Sequence, residues 1–155
     1  MAVALTALPS VRAHSTTTNA MTMDSKILEG TASLRVRIQY WLACPPGYDR
    51  EGQTRWPLLL FLHGAGERGD NLELVKKHGP PKLIAAGRVL PFLVVAPQCP
   101  ADDWWDSARQ VLALRTLLDD LIASHRVDRD RIYLTGLSMG GYGTWRLAAE
   151  YPEMF

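Results

Sequence analysis

Arg131-Ile132-Tyr133-Leu134-Thr135-Gly136-Leu137-Ser138-Met139-Gly140-Gly141 is the stretch on which the fold turns. Its first five residues are rich in β-branched and aromatic side chains, as a strand requires. The residues from Met139 to Glu150 then read as a helix. Between strand and helix stands Gly136-Leu137-Ser138-Met139-Gly140, a G-x-S-x-G pattern. At average usage such a match arises by chance in roughly one chain of this length in twenty, so the flanking strand and helix carry much of its weight. A sharp strand-to-helix turn holds a serine hydroxyl proud of the sheet, where it can attack an acyl carbonyl. Glycine two before and two after the serine leaves room for a backbone that side chains would block. Ser138 is therefore read as a nucleophile, the alternative being a serine that merely caps the helix.

Upstream, Leu62-His63-Gly64-Ala65-Gly66 follows the apolar run Pro57–Leu62. Acyl transfer passes through a tetrahedral oxyanion, which preorganised backbone N–H groups stabilise. The N–H of Met139, next to the nucleophile and at a helix N-terminus, is one expected donor. The N–H of Ala65 is the other, with His63, Gly64 and Gly66 forming the loop that supports it and Gly136 and Gly140 shaping the turn.

In this order, His63 to Asp70, then Ala96-Pro97-Gln98-Cys99-Pro100, then Asp130 to Gly141, the sequence resembles the α/β-hydrolase superfamily. Within it the chain is most similar to the phospholipase/carboxylesterase and dienelactone-hydrolase-like esterases, including the predicted-peptidase group. The resemblance covers roughly residues 34 to 155. It implies a Ser-His-Asp triad whose acid and histidine follow the nucleophile, ester substrates of small-molecule size, and no metal or organic cofactor. All four histidines, His14, His63, His78 and His125, precede Ser138, and so do Asp102, Asp103 and Asp106. The expectation is a domain lacking its C-terminal part, residues 31–155, preceded by a disordered leader over 1–30, and inactive by itself. A serine peptidase or amidase, or an inactive binding module on the same scaffold, are the competing readings.

The remaining elements agree with an α/β sheet. Leu34, Val36, Ile38 and Tyr40 alternate with Arg35, Arg37 and Gln39, the period of a strand with one wet face. Pro57–Leu62 and Phe92–Ala96 are apolar on both faces and suit buried parallel strands. Leu72–Lys77 and Lys82–Ala86 read as short helices separated by Gly79-Pro80-Pro81. Ser107 caps a long helix to about His125, its apolar residues recurring every three or four positions. Val127–Arg131 reads as a turn. The predicted fold is the N-terminal part of a mostly parallel sheet flanked by helices.

Composition excludes several classes. Over 155 residues, 47% are hydrophobic and the net charge is +1, which gives no footprint for nucleic acid. No apolar run approaches the roughly 20 residues of a membrane span. Cys44 and Cys99 are read as unpaired thiols. Ala2–Leu8 is apolar, but no Lys or Arg precedes it, so it does not decide the compartment. Trp104 and Trp105 are possible pocket walls, whereas Tyr142 and Trp145 are assigned to the core. Glu67, Arg68 and Asp70 are assigned to stiffening the loop.

Overall fold

Four strands form one sheet in the order β1-β3-β2-β4: β1 Gln39–Ala43, β2 Trp56–Leu62, β3 Leu93–Gln98 and β4 Val127–Gly136. They belong to a computed structural model that describes residues 35–155. The predicted leader and Leu34 lie outside the described residues. β2 runs parallel to both β3 and β4, and β1 is antiparallel to β3. The parallel strands fit the expected α/β architecture, with one antiparallel strand on its flank.

The two faces of β2 explain its unbroken apolar run. Leu58, Leu60 and Leu62 point to a face covered by α2 (Ala108–Ser124) and α3 (Met139–Glu150), where Val111, Leu114, Leu118, Leu121 and Leu147 complete the main core. Phe61 points to the other face and packs with Val75 and Ala96. A 3₁₀ segment over Leu72–Lys77 and the short helix α1 (Gly79–Ala85) lie on the chain between β2 and β3. Burial of a leucine side chain contributes about 1.5–3 kcal/mol, so this double-sided packing fixes the strand that leads to the site.

Four expectations need correction. The strand read from Leu34 starts only at Gln39, because β1 pairs with β3 alone and Gln39 faces its last residue, Gln98. Arg35–Ile38 keep the alternation of exposure without a partner strand. The supposed turn Val127–Arg131 is the start of β4: Trp56 faces Val127, and an irregularity in register follows. Its charges hid it, since Arg129, Asp130 and Arg131 sit exposed on a strand that has no further neighbour among the described residues. Gly79-Pro80-Pro81 opens α1 rather than separating helices, because proline's fixed φ suits a first turn whose N–H groups have no partner. Tyr142 and Trp145 are 66% and 80% exposed, not core. The helical period puts Met139, Gly143 and Leu147 on the buried face of α3 instead.

Ser107 caps α2 as expected, its Oγ accepting from the N–H of Gln110 at 3.2 Å. Cys44 and Cys99 are both free, Cys44 exposed and Cys99 buried. Among the described residues no helix is long and apolar enough to cross a membrane.

Candidate active site

β4 ends at Gly136 and α3 begins at Met139, so only Leu137 and Ser138 make the turn. Ser138 takes φ 53° and ψ −114°, and among the described residues no other non-glycine residue has a positive φ. Such backbone costs about 1–3 kcal/mol and persists only where its surroundings enforce it. Ser138 is exposed, and its hydroxyl makes no capping bond to the helix that it precedes. The cap alternative therefore loses its physical content: the strained residue gives its helix no side-chain bond.

Close approach of three backbones enforces the turn. The N–H of Leu137 donates to the carbonyl of Leu62 at 3.0 Å, tying the turn to the end of β2. A Cβ on Gly140 would fall on that same carbonyl, and one on Gly136 would fall on the carbonyl of Gly140. Both glycines are thus steric requirements of the turn. Gly143 has a similar role one helical turn later, where a Cβ would strike the Cβ of Trp105. A Cβ on Gly66 would meet nothing within 4 Å, so that expected supporting glycine has no steric demand on it.

The loop after β2 is fixed from the opposite side. His63 is fully buried and uses both ring nitrogens: Nε2 accepts from the backbone N–H of Cys99 at 3.0 Å, and Nδ1 lies 2.7 Å from the carbonyl of Gly64. Accepting at Nε2 places the proton on Nδ1, which donates to Gly64. Burial is the main cause that lowers the His63 pKa, against the backbone bond to Gly64 and the Glu67 charge, so the ring is held neutral. The Gln98 amide donates to the carbonyls of Glu67 and Asn71, both at 2.8 Å, and Gly69 N–H donates to Cys99 at 2.9 Å. Arg68 donates from Nε to the Ala65 carbonyl at 3.1 Å and from a terminal nitrogen to the Asp103 carbonyl at 3.3 Å. The end of β3 thus clamps the whole segment His63–Asn71.

This clamping sets the loop against the turn. A Cβ on Gly64 would lie 3.8 Å from the Cβ of Ser138 and 3.6 Å from the carbonyl of Leu137. Ala65 and Met139 are the first residues of their helical turns, Ala65–Glu67 and Met139–Glu150. N–H groups at such positions have no intrahelical acceptor. The Met139 side chain is buried, which anchors its backbone beside Ser138. Two unengaged donors on fixed backbone, beside a strained exposed serine, can stabilise an oxyanion formed at that serine.

The other named residues separate. Trp105 is buried and donates from Nε1 to the His63 carbonyl at 3.1 Å, so it is a core strut rather than a pocket wall. Trp104 is 46% exposed and carries the Arg68 guanidinium over its ring at 4.9 Å. The Asp103 carboxylate accepts from Trp104 N–H and from Gln110. Burial would raise its pKa, but those bonds and one from Ser107 outweigh it and hold it low. His78 Nε2 lies 3.7 Å from a carboxylate oxygen of buried Glu67, the one ion-pair contact of either side chain among the described residues. His125 precedes β4 and Ser138 follows it, a separation on the order of 30 Å along ten extended residues. Its pKa is lowered, chiefly by burial and then by Arg50, so a positive charge at this helix end is disfavoured. His14 lies outside the described residues. No side chain in the sequence announced the bond from Cys99 N–H to His63, because its partners are 36 positions apart and one is backbone. Among the described residues no group of three His, Cys, Asp or Glu could hold a metal ion.

No family model matches the chain. NocK of Nocardia uniformis subsp. tsuyamanensis, a protein that carries an esterase name, is 34% identical over 125 residues, covering 75% of this chain and 35% of its own length. Poly(3-hydroxyalkanoate) depolymerase C of Paucimonas lemoignei is 29% identical over 112 residues, covering 64% of this chain and 26% of its own. The crystal structure of a thermostable esterase superposes with a TM-score of 0.62 at 34% identity, over 77% of this chain and 36% of that one. The chain thus spans about a third or less of the curated relatives' length. By its fold and by these likenesses the chain is α/β-hydrolase-like and related to esterases.

Proposed function

We propose that the protein hydrolyses carboxylic esters through an acyl-enzyme on Ser138. The observation that carries this reading is the backbone of Ser138, the one strained non-glycine residue described, with its hydroxyl exposed and not used as a cap. In the proposed step Ser138 Oγ attacks the ester carbonyl as its proton passes to a base. The N–H groups of Ala65 and Met139 hold the resulting oxyanion, and the alkoxide leaves as alcohol after protonation. Water then repeats the sequence and releases the acid. Removing one such donor typically costs about 10²–10³ in turnover.

The base does not come from His63, whose nitrogens are both bonded, nor from His125 at the far end of β4. We place the histidine base and the aspartate that orients it, the acid first along the chain and then the histidine as the family resemblance implies, in the share of the relatives' length that this chain does not cover. Residues 35–155 alone would then retain at most about 10³–10⁴ over water, from oxyanion binding. Assay of p-nitrophenyl acyl esters beside peptide amides, on the protein that includes the base and acid and with Ser138→Ala as control, tests the proposal. Ester turnover lost in Ser138→Ala and a serine-directed fluorophosphonate attached at Ser138 are expected. Efficient amide cleavage with negligible esterase activity would replace ester with peptide as the substrate, and labelling unchanged by Ser138→Ala would remove Ser138 from the mechanism.

A further inference from the structure

Trp104 and Arg68 form a flat surface beside the candidate oxyanion loop. We propose that this surface is a specificity subsite that takes a neutral aromatic group of the ester, a proposal that rests on the ester-hydrolase reading above.

The surface is built rather than incidental. Arg68 is bonded through Nε to the carbonyl of Ala65, the same residue whose N–H is assigned to the oxyanion, and through a second nitrogen to the carbonyl of Asp103. Two bonds from one planar group fix its orientation, and its central carbon Cζ lies over the indole of Trp104, 4.9 Å from the ring centroid. Trp104 is placed in turn by its N–H bond to Asp103 Oδ1 at 2.8 Å and by its neighbour Trp105, which is locked in the core. Surface guanidinium groups ordinarily find carboxylates, but among the described residues Arg68 has none within ion-pair distance; its three partners are two carbonyls and an indole. Its unused N–H groups and the 46% of Trp104 left exposed remain for a ligand.

The chemistry of the surface selects the ligand. A guanidinium on an indole extends a stack with another planar π system, which a flexible alkyl chain cannot do. Asp102, Asp103 and Asp106 all belong to the segment that holds Trp104, and only Arg68 and Arg109 stand against these three carboxylates. An anionic group would therefore meet net repulsion, and a neutral ring is favoured. Position selects the part of the substrate: Gly64 adjoins Ser138 and Ala65 adjoins Arg68, so the ring belongs to a group attached close to the scissile carbonyl.

The test is ligand titration of the full chain carrying Ser138→Ala, followed by the indole N–H resonance of Trp104. Methyl benzoate, methyl butanoate and benzoate ion are the probes, and the buried indole of Trp105 reports that the fold is intact. Methyl benzoate is expected to shift Trp104 saturably and to bind about fivefold or more tightly than methyl butanoate. Arg68→Lys keeps the charge and loses the plane, and it is expected to abolish that preference. Trp104→Ala, followed at the Arg68 Nε–H, is expected to do the same. Equal binding of the two esters, tighter binding of benzoate ion, or a preference untouched by both substitutions overturns the subsite. Because Ser138→Ala has no nucleophile, binding here does not depend on catalysis. Saturable methyl benzoate binding, with no ester turnover even by the protein that includes the base and acid, supports the subsite while the catalytic reading fails. Ester turnover without such binding overturns the subsite alone.

Discussion

His63→Phe separates the hydrogen bonds of the loop clamp from its packing. Phenylalanine fills much of the imidazole's space but offers neither an acceptor to Cys99 N–H nor a donor to the Gly64 carbonyl. Both groups are then buried without a partner, at about 1–3 kcal/mol each, so the expected loss is about 2–6 kcal/mol. For a protein whose stability is about 5–15 kcal/mol, that is a large share. With a urea slope of about 2 kcal/mol per molar, the midpoint should fall by about 1–3 M and the slope should stay the same. A second signature comes from pH. The folded-state pKa of His63 is lowered by burial, so the unfolded chain takes up the proton first as pH falls. The stability that neutral His63 contributes is present above its unfolded value near 6.5, and is lost as pH drops from there toward the lower folded value. His125 is shifted the same way and leaves a residual slope. Equilibrium urea curves at pH 7.5 and 5.5 would show the parent losing more stability on acidification than His63→Phe. A midpoint change below about 0.5 M, or an identical pH response in both proteins, would refute the assignment of His63 as a neutral crosspiece.

Three further outcomes follow from the geometry. Ser138→Gly removes the Cβ from a φ of 53° and should end ester turnover while raising stability by about 1 kcal/mol, the strain relieved exceeding glycine's entropy cost; a lower melting temperature would count against strain at the turn. Gly140→Ala drives a Cβ into the Leu62 carbonyl and should cost more than about 3 kcal/mol or prevent folding, whereas Gly141→Ala, whose nearest neighbour is 4.0 Å away, should be neutral or stabilise α3 by about 0.5–1 kcal/mol in thermal melts. Iodoacetamide at pH 8 should modify exposed Cys44 and spare Cys99, whose thiol burial pushes up to about 12, until denaturant is added; peptide mapping that finds Cys99 alkylated first would contradict its burial.

Most of what locates the nucleophile was legible because it is local. The glycines of the turn, the strand before it and the bounds of α3 all follow from contacts within a few residues of Ser138. The cap at Ser107 was legible for the same reason. What escaped depends on distant partners. Whether Trp104 or Trp105 faces inward cannot be told from adjacency; the Trp105 Nε1 bond to His63 and the close approach of Trp105 to Gly143 decide it. Tyr142 and Trp145 are exposed despite their aromatic character, because helical phase sets them off the buried face of Met139, Gly143 and Leu147. The start of β4 is hidden by Asp128-Arg129-Asp130-Arg131, a run of charges that interrupts the apolar pattern by which a strand is read. The likeness to esterases spans about three quarters of this chain and about a third of the relatives' length.

The register of β2 against β4 also has a kinetic meaning. Leu60 faces Leu134 and Leu62 faces Gly136, partners roughly seventy positions apart in the chain. No local nucleus can produce that pairing, since ring closure over such a span must precede any gain from the contacts. The Leu62 carbonyl that receives Leu137 N–H and fences Gly140 is therefore in place only after the sheet has assembled. Until then Ser138 is free to relax out of its left-handed backbone. The reactive hydroxyl would thus be presented late on the folding route, and a half-folded chain carries the sequence of the turn without its geometry.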